Sequence, residues 1–129
     1  MDETGTGIRT EAHGDVTVVG LLGEHDVTSA AAVREQLSTI ATSGGGLVVS
    51  LMQTTFFDSS IVHALFDVDR ELRGHDRQLV LHVATAPIVR RVLDVSMLSE
   101  AVPCTSSLHR GLRRSPPPGI HRRSRTTRR

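Results

Sequence analysis

Short aliphatic runs alternate with longer amphipathic segments along this sequence, and that alternation limits the fold more than any other feature. Residues 16–22, 47–52 and 78–84 are rich in Val and Leu and predict strands with little exposed surface. Residues 27–41 and 59–72 repeat apolar side chains at helical spacing instead. Strands that alternate with helices predict an α/β domain, in which helices cover a sheet.

Turn and cap residues predict where the first elements begin and end. The sequence at 13–15, His-Gly-Asp, predicts the turn of an opening hairpin. Thr28 or Ser29 is suited to be the N-cap of the first helix, and the glycines at 44–46 end that helix. Gly74 lies just beyond the second helix, where a glycine is favoured.

Three weaker elements follow the last aliphatic run. Pro87 opens a helix over 87–95, since proline suits the first turn of a helix. A weak strand is expected over 101–104, and a short helix over 106–112. These elements complete a single predicted domain.

Charge divides the chain into two parts. All 15 basic residues are Arg, and eight of them follow His109, whereas all 14 acidic residues precede it. Residues 1–109 thus hold seven Arg against 14 acids, a net charge of −7. We predict a frayed N-terminus over 1–6, one domain over 7–112, and a disordered Arg/Pro-rich tail over 113–129.

Composition argues against several classes of protein. The chain has three Phe and neither Trp nor Tyr, so it lacks the aromatic platforms that stack on bases or sugars. No apolar run approaches the roughly 20 residues that cross a membrane, which predicts a cytoplasmic protein. The single cysteine, Cys104, agrees with a reducing compartment.

No cofactor or metal site is predicted. The seven histidines include no pair at i, i+4 and no H-E-x-x-H arrangement, so the spacing of a zinc site is missing. The glycine triplet lacks the Lys-Ser/Thr that completes a phosphate-binding P-loop.

The sequence Asp58-Ser59-Ser60 follows an extended run and precedes a helix, and it has three interpretations. Asp58 can simply be an N-cap, the interpretation that these residues alone favour. A nucleophilic serine needs a base and an oxyanion hole, but His63 lies one turn along and the G-x-S-x-G elbow is missing. Ser59 can also be a phosphoacceptor, because the start of a helix tolerates an added anion.

Three segments of the chain resemble landmarks of the STAS domain, in the bacterial anti-sigma factor antagonist family. They are "GEHD" at 23–26, "FFDSS" at 56–60 and "PIVRRVLDVSML" at 87–98. Their order and spacing agree with the family from about residue 15 to residue 112. The resemblance implies a mixed four- to five-stranded sheet covered by helices, no cofactor, and no catalysis by the domain itself.

The resemblance also implies partners and site residues. Such proteins bind an anti-sigma factor that is also a serine kinase, and so free a sigma factor for transcription. The kinase phosphorylates the serine after the motif's Asp, and a PP2C-type phosphatase restores it. Carried onto this chain, the phosphoacceptor is Ser59, and the partner-binding residues are Asp26, Asp58, Ser59, Ser60, Ile61 and His63.

The chain departs from the family at three positions. Ile61 and Met97 stand where glycine is usual, and His63 where a small residue is usual. Glycine lets a partner's backbone approach closely, so these side chains are expected to exclude some partners.

Two alternatives stay open. A divergent STAS module could hold another protein in a signalling or transport assembly without phosphorylation. The Arg-rich tail could bind nucleic acid through phosphate contacts, although a solvated appendage that masks the acids of the domain is the simpler interpretation.

The tail alternative has a direct test. Any retention of the full chain on immobilised DNA should weaken as salt rises, and it should disappear when residues 113–129 are deleted. Retention that survives the deletion would contradict a role for the tail, because the rest of the chain is acidic.

Overall fold

The structure is a computed structural model that describes residues 7–83, 87–109 and 112. The predicted N-terminal segment 1–6 and tail 113–129 lie outside the described residues. The elements whose residues are all described follow in this order: β1 (Gly7–His13), β2 (Val16–His25), α1 (Val27–Ser43), β3 (Gly46–Ser50), β4 (Thr54–Phe57), α2 (Ser59–Arg73), β5 (Leu79–His82), α3 (Pro87–Val95), α4 (Leu98–Ala101) and β6 (Cys104–Thr105). Leu108, His109 and Leu112 are helical as well.

The strands form one mixed sheet, which confirms the predicted α/β fold. β1 and β2 make an antiparallel hairpin, while β2, β3, β5 and β6 pair in parallel. β3 pairs with the first half of β2, and β4 pairs in parallel with residues 23–25 at its end. β3 and β4 therefore run in sequence along one edge of β2, separated by residues 51–53.

The two faces of the sheet differ in their cover. One face, with α1, α2 and α3, forms the main core, which includes Leu21, Val49 and Leu81 from the strands and Leu37 and Leu65 from the helices. The second face has a smaller apolar cluster of four valines covered by Leu108 and Leu112: Val16, Val18, Val48 and Val80. None of the described helices is long and apolar enough to cross a membrane.

The glycine triplet ends α1, as predicted, and each position has a different role. Gly44 is the C-cap with φ 108°, a left-handed conformation that glycine adopts freely. At Gly45 a Cβ would lie 2.7 Å from the carbonyl oxygen of Asp15, so no side chain fits there. Gly46 begins β3, and its N–H donates to that same carbonyl at 3.1 Å.

Two predicted boundaries are wrong. The N-cap of α1 is Asp26 and not Thr28 or Ser29, because the Asp26 carboxylate accepts from the backbone N–H of Thr28 and the helix begins at Val27. The weak strand lies at Cys104–Thr105, since Ala101 ends α4.

Gly74 does lie at the end of α2, but its conformation is not the left-handed one that makes glycine favourable there. Its φ is −64°, and Asp76, two residues later, has a φ of 59°. The chain therefore leaves α2 through a non-glycine residue in the left-handed region, which Asp tolerates better than most residues.

Met97 stands in a conformation that favours glycine. It is the N-cap of α4 with φ 66° and ψ 9°, and its side chain is half exposed. The left-handed conformation costs an L-residue about 1 to 2 kcal/mol. The glycine that is usual here in the resembling family would thus serve the backbone of the turn.

We expect Met97→Gly to be more stable than Met97→Ala by about 0.5 to 1 kcal/mol, because the left-handed penalty exceeds the entropic disadvantage of glycine. Urea unfolding at neutral pH measures the difference. Arg91, exposed within α3, provides the matched pair, and there Ala should be the more stable residue by about 1 kcal/mol. If Met97→Ala were at least as stable as Met97→Gly, the backbone strain inferred at position 97 would be contradicted.

Candidate functional site

The end of β2 and the end of β4 lie side by side. His25 pairs with Phe57, so the next residues along each strand, Asp26 and Asp58, leave the sheet together. The pairing is reinforced by the Gly23 N–H, which donates to the Gln53 carbonyl at 2.9 Å. Both aspartates therefore sit at one edge of the sheet, where the carboxyl ends of parallel strands place binding sites in α/β folds.

Both aspartates cap a helix in the same way. The Asp26 carboxylate accepts from the backbone N–H of Thr28 at 2.9 Å and from its hydroxyl at 2.6 Å. The Asp58 carboxylate accepts from the backbone N–H of Ser60 at 3.0 Å and also from the Ser60 hydroxyl. The N-termini of α1 and α2 therefore begin at the same edge, and α1 and α2 pack against each other.

The two serines of the turn are not equivalent. Ser60 is partly buried, and its hydroxyl is bound to the Asp58 carboxylate. Ser59 is exposed, and within the described part of the chain its hydroxyl makes no hydrogen bond. An enzyme approaching this edge from solvent therefore meets the Ser59 oxygen unengaged, whereas the Ser60 oxygen is held.

Charge at this edge has two opposing sources. Three carboxylates lie at the ends of β2 and β4: Glu24, Asp26 and Asp58, which we call the acidic edge. No Arg or His of the described chain forms an ion pair with them. The N-termini of α1 and α2 carry partial positive charge, which favours an anion at the first turn.

The Asp26 carboxylate is held in its ionised form. The Thr28 hydroxyl, and after it the Thr28 backbone N–H, lower the pKa of Asp26 by donating to its oxygen. This carboxylate is therefore charged under any condition near neutral pH and contributes a fixed negative charge beside Ser59.

The buried His25 side chain forms hydrogen bonds with the strands and the helix that meet at this edge. His25 is 1% exposed, and its Nε2 lies 3.1 Å from two backbone carbonyls, those of Gly7 and Leu22. Its Nδ1 lies 3.0 Å from the hydroxyl of Ser29 in the first turn of α1. With Nε2 as the donor, the ring joins the start of β1, the end of β2 and the first turn of α1.

The predicted site residues fall into two groups. Asp26, Asp58, Ser59 and Ser60 come together at the edge, and His63 is exposed one turn along α2. Ile61 does not belong with them. Its side chain is 0% exposed and packs in the main core, so the expectation that it would contact or exclude a partner is wrong.

Three exposed residues at the edge were missed by sequence reasoning. Val27, the residue after Asp26, is 71% exposed, and Phe56, two residues before Asp58, is 40% exposed. Glu24 pairs with Phe56 across the strands. The signal for Phe56 was available, because alternation along β4 allows only one of two consecutive Phe side chains to enter the core. The edge thus combines apolar surface with carboxylates.

The family model of the STAS domain matches residues 7–111. No curated protein matches the chain.

Several solved structures share the fold. The anti-sigma factor antagonist of Mycobacterium paratuberculosis has a TM-score of 0.76 at 23% identity, covering 83% of this chain and 91% of that chain. The anti-sigma-factor antagonist (STAS) domain protein of Planctomyces limnophilus has a TM-score of 0.67 at 20% identity, covering 81% and 93%. The Bacillus cell fate determinant SpoIIAA in its phosphorylated form has a TM-score of 0.63 at 22% identity, covering 81% and 96%.

The N-cap at Asp26 predicts that part of the folding stability of the domain is lost in acid. Since the pKa of Asp26 is lowered in the folded protein, its ionisation stabilises the fold above the unfolded pKa of about 3.9. That stabilisation is lost as pH falls through the lower folded pKa. Asp26→Asn keeps the capping oxygen but cannot titrate, so it should lose less stability than the wild type between about pH 5 and about pH 2.

Urea unfolding across that pH range measures the effect, with Glu35→Gln, an exposed acid of the same helix, as the control. Parallel curves for the wild type and Asp26→Asn would contradict the role given to the Thr28 hydrogen bonds.

Proposed function

Because the chain belongs to the STAS domain family, we propose that it is a cytoplasmic anti-sigma factor antagonist, switched by phosphorylation at Ser59. It binds an anti-sigma factor that is also a serine kinase, and this binding frees a sigma factor for transcription. A PP2C-type phosphatase reverses the modification. The domain acts by binding and not by catalysis of its own.

One observation carries the proposal. Of the two serines in the turn, Ser59 is exposed with an unengaged hydroxyl, while the Ser60 hydroxyl is bound to Asp58. The kinase would form a bond between the Ser59 oxygen and the γ-phosphorus of ATP. The bond from that phosphorus to the ADP oxygen breaks, and the hydroxyl proton leaves to a base of the kinase.

The fold is suited to tolerate the added group. Phosphorylation adds about −1.5 to −2 charges at Ser59, which stands in the first turn of α2 beside the N-terminus of α1. The partial positive charge of the two helix ends offsets part of the repulsion from the acidic edge. Modification is therefore expected to leave the domain folded.

Phosphorylation is instead expected to raise the free energy of the complex with the partner. The unmodified surface presents apolar side chains, Val27 and Phe56, next to the acidic edge. A partner that fits it buries apolar surface and places basic groups near the carboxylates. A phosphate at Ser59 in such an interface would be desolvated beside three carboxylates, which weakens binding.

One observation supports the alternative function, a STAS module that binds a partner without being phosphorylated. His63 is exposed one turn from Ser59, and a side chain of this size narrows the approach of a kinase to the serine. In that case the same edge binds a partner constitutively. The basic tail lies outside the described residues, and its role stays a prediction from the sequence.

A charge introduced at Ser59 should weaken partner binding without unfolding the domain. We expect Ser59→Asp to lower the affinity for the cognate anti-sigma factor at least about tenfold, or about 1.4 kcal/mol, with little change in melting temperature. Ser59→Ala should bind as the wild type does. Calorimetric titration measures the affinities.

Ser106→Asp, an exposed serine distant in sequence, is the matched control and should bind normally. Equal affinity for the wild type and Ser59→Asp would defeat the proposed switch.

Phosphorylation itself separates the two candidate functions. Incubation with candidate anti-sigma kinases and ATP, followed by mass spectrometry, should add one phosphate to the peptide that contains Ser59 and none in Ser59→Ala. A partner that binds tightly but leaves this peptide unmodified would favour the constitutive module.

A further inference from the structure

The sheet face away from α1 and α2 carries a row of four residues across four strands. Arg9 of β1 pairs with Gly20 of β2, Gly20 pairs with Ser50 of β3, and Ser50 pairs with His82 of β5. The neighbouring row on this face is the valine cluster under Leu108 and Leu112. A polar row with a glycine at its centre therefore lies beside the four valines on this face.

A cavity of about 230 Å³ lies over this row. Its lining includes all four residues of the row together with Glu11 and Leu108. Pockets for drug-sized ligands occupy about 300 to 1,000 Å³, so this one suits a smaller molecule. We call it the sheet-face cavity.

Gly20 keeps the cavity open, and nothing else in its surroundings requires a glycine. Its φ is not in the left-handed region. A Cβ built there would come no closer than 3.9 Å to a heavy atom, the carbonyl oxygen of Arg9, which is an ordinary contact. Glycine inside a strand destabilises the protein and often marks a place where a ligand approaches the backbone.

The Ser50 and His82 side chains of the cavity are hydrogen-bonded to each other. The Met52 N–H donates to the Ser50 hydroxyl at 3.5 Å, and that hydroxyl lies 3.2 Å from Nδ1 of His82. When the hydroxyl donates to Nδ1, the neutral ring carries its proton on Nε2, which is then a donor without a partner in the described chain.

Arg9 adds a second and stronger donor. Its side chain is exposed and forms no ion pair within the described residues. The one acid of the lining, Glu11, is engaged by His13 at 3.2 Å. The Arg9 guanidinium and the Nε2–H of His82 therefore offer two donors to a negatively charged ligand.

We propose that the sheet-face cavity is a binding site for a small organic carboxylate. Its carboxylate contacts the Arg9 guanidinium and the Nε2–H of His82, and its short apolar body lies over Gly20 against Leu108. The site is on the opposite face of the sheet from α2, so it does not depend on the function proposed for Ser59.

Titration of the ¹⁵N-labelled full chain tests the site by NMR. The probes are sodium acetate, sodium butyrate and sodium phosphate up to tens of millimolar, with ionic strength held constant by sodium chloride. We expect saturable shifts with butyrate at the amides of Gly20, Ser50 and His82, and weaker binding of acetate, which has less apolar body. No saturation with either carboxylate, or saturation with phosphate alone, would overturn the proposal.

Two variants localise the binding. Gly20→Val fills the cavity with a residue that suits a strand, so it should abolish the saturable shifts while the melting temperature is kept or raised. Arg9→Gln should weaken butyrate at least about tenfold, whereas Arg91→Gln, an exposed arginine of α3, should not. Butyrate binding that is equal in Arg9→Gln and Arg91→Gln would overturn the site, even if the valine variant fails to fold.

Discussion

The pairing of the end of β2 with β4 is the contact on which the rest of this site depends. It places His25 opposite Phe57, and it is held by the Gly23 N–H on Gln53 and by the buried Thr54 hydroxyl, which donates to the Leu21 carbonyl at 2.6 Å. Because the two strands stop in register, Asp26 and Asp58 become adjacent N-caps and two helices start at one edge. A shift of this register would separate the caps and remove the shared surface.

The same arrangement separates the stability of the domain from the affinity of its surface. The capping oxygens and the buried His25 satisfy polar groups inside the protein, while Ser59, Val27 and Phe56 are directed to solvent. An anion added at Ser59 is offset by helix ends that belong to the fold. Under the proposed function, a docked partner would have no such compensation at an edge that already holds three carboxylates, so phosphorylation would act on the complex.

Local signals in the sequence predicted much of this. The α/β alternation, the hairpin at Gly14, the helix stop at Gly44 and the cap at Asp58 depend on residues close together in the chain, and each was found. The misses depend on contacts between distant residues. The Asp26 cap, the burial of Ile61 and the difference between Ser59 and Ser60 follow from register and packing, which a single sequence does not encode locally. The polar row on the second face also becomes visible only when four strands are aligned.

As a switch, Ser59 would expel a bound partner from an intact domain once it carries one phosphate. The most direct measurement is calorimetric titration of the cognate anti-sigma factor with the chain carrying phosphoserine at position 59, alongside the unmodified chain. We expect binding to be lost or greatly weakened while the unfolding free energy of the free domain stays nearly the same. Undiminished affinity of the phosphorylated chain, or a domain that unfolds when phosphorylated, would contradict it.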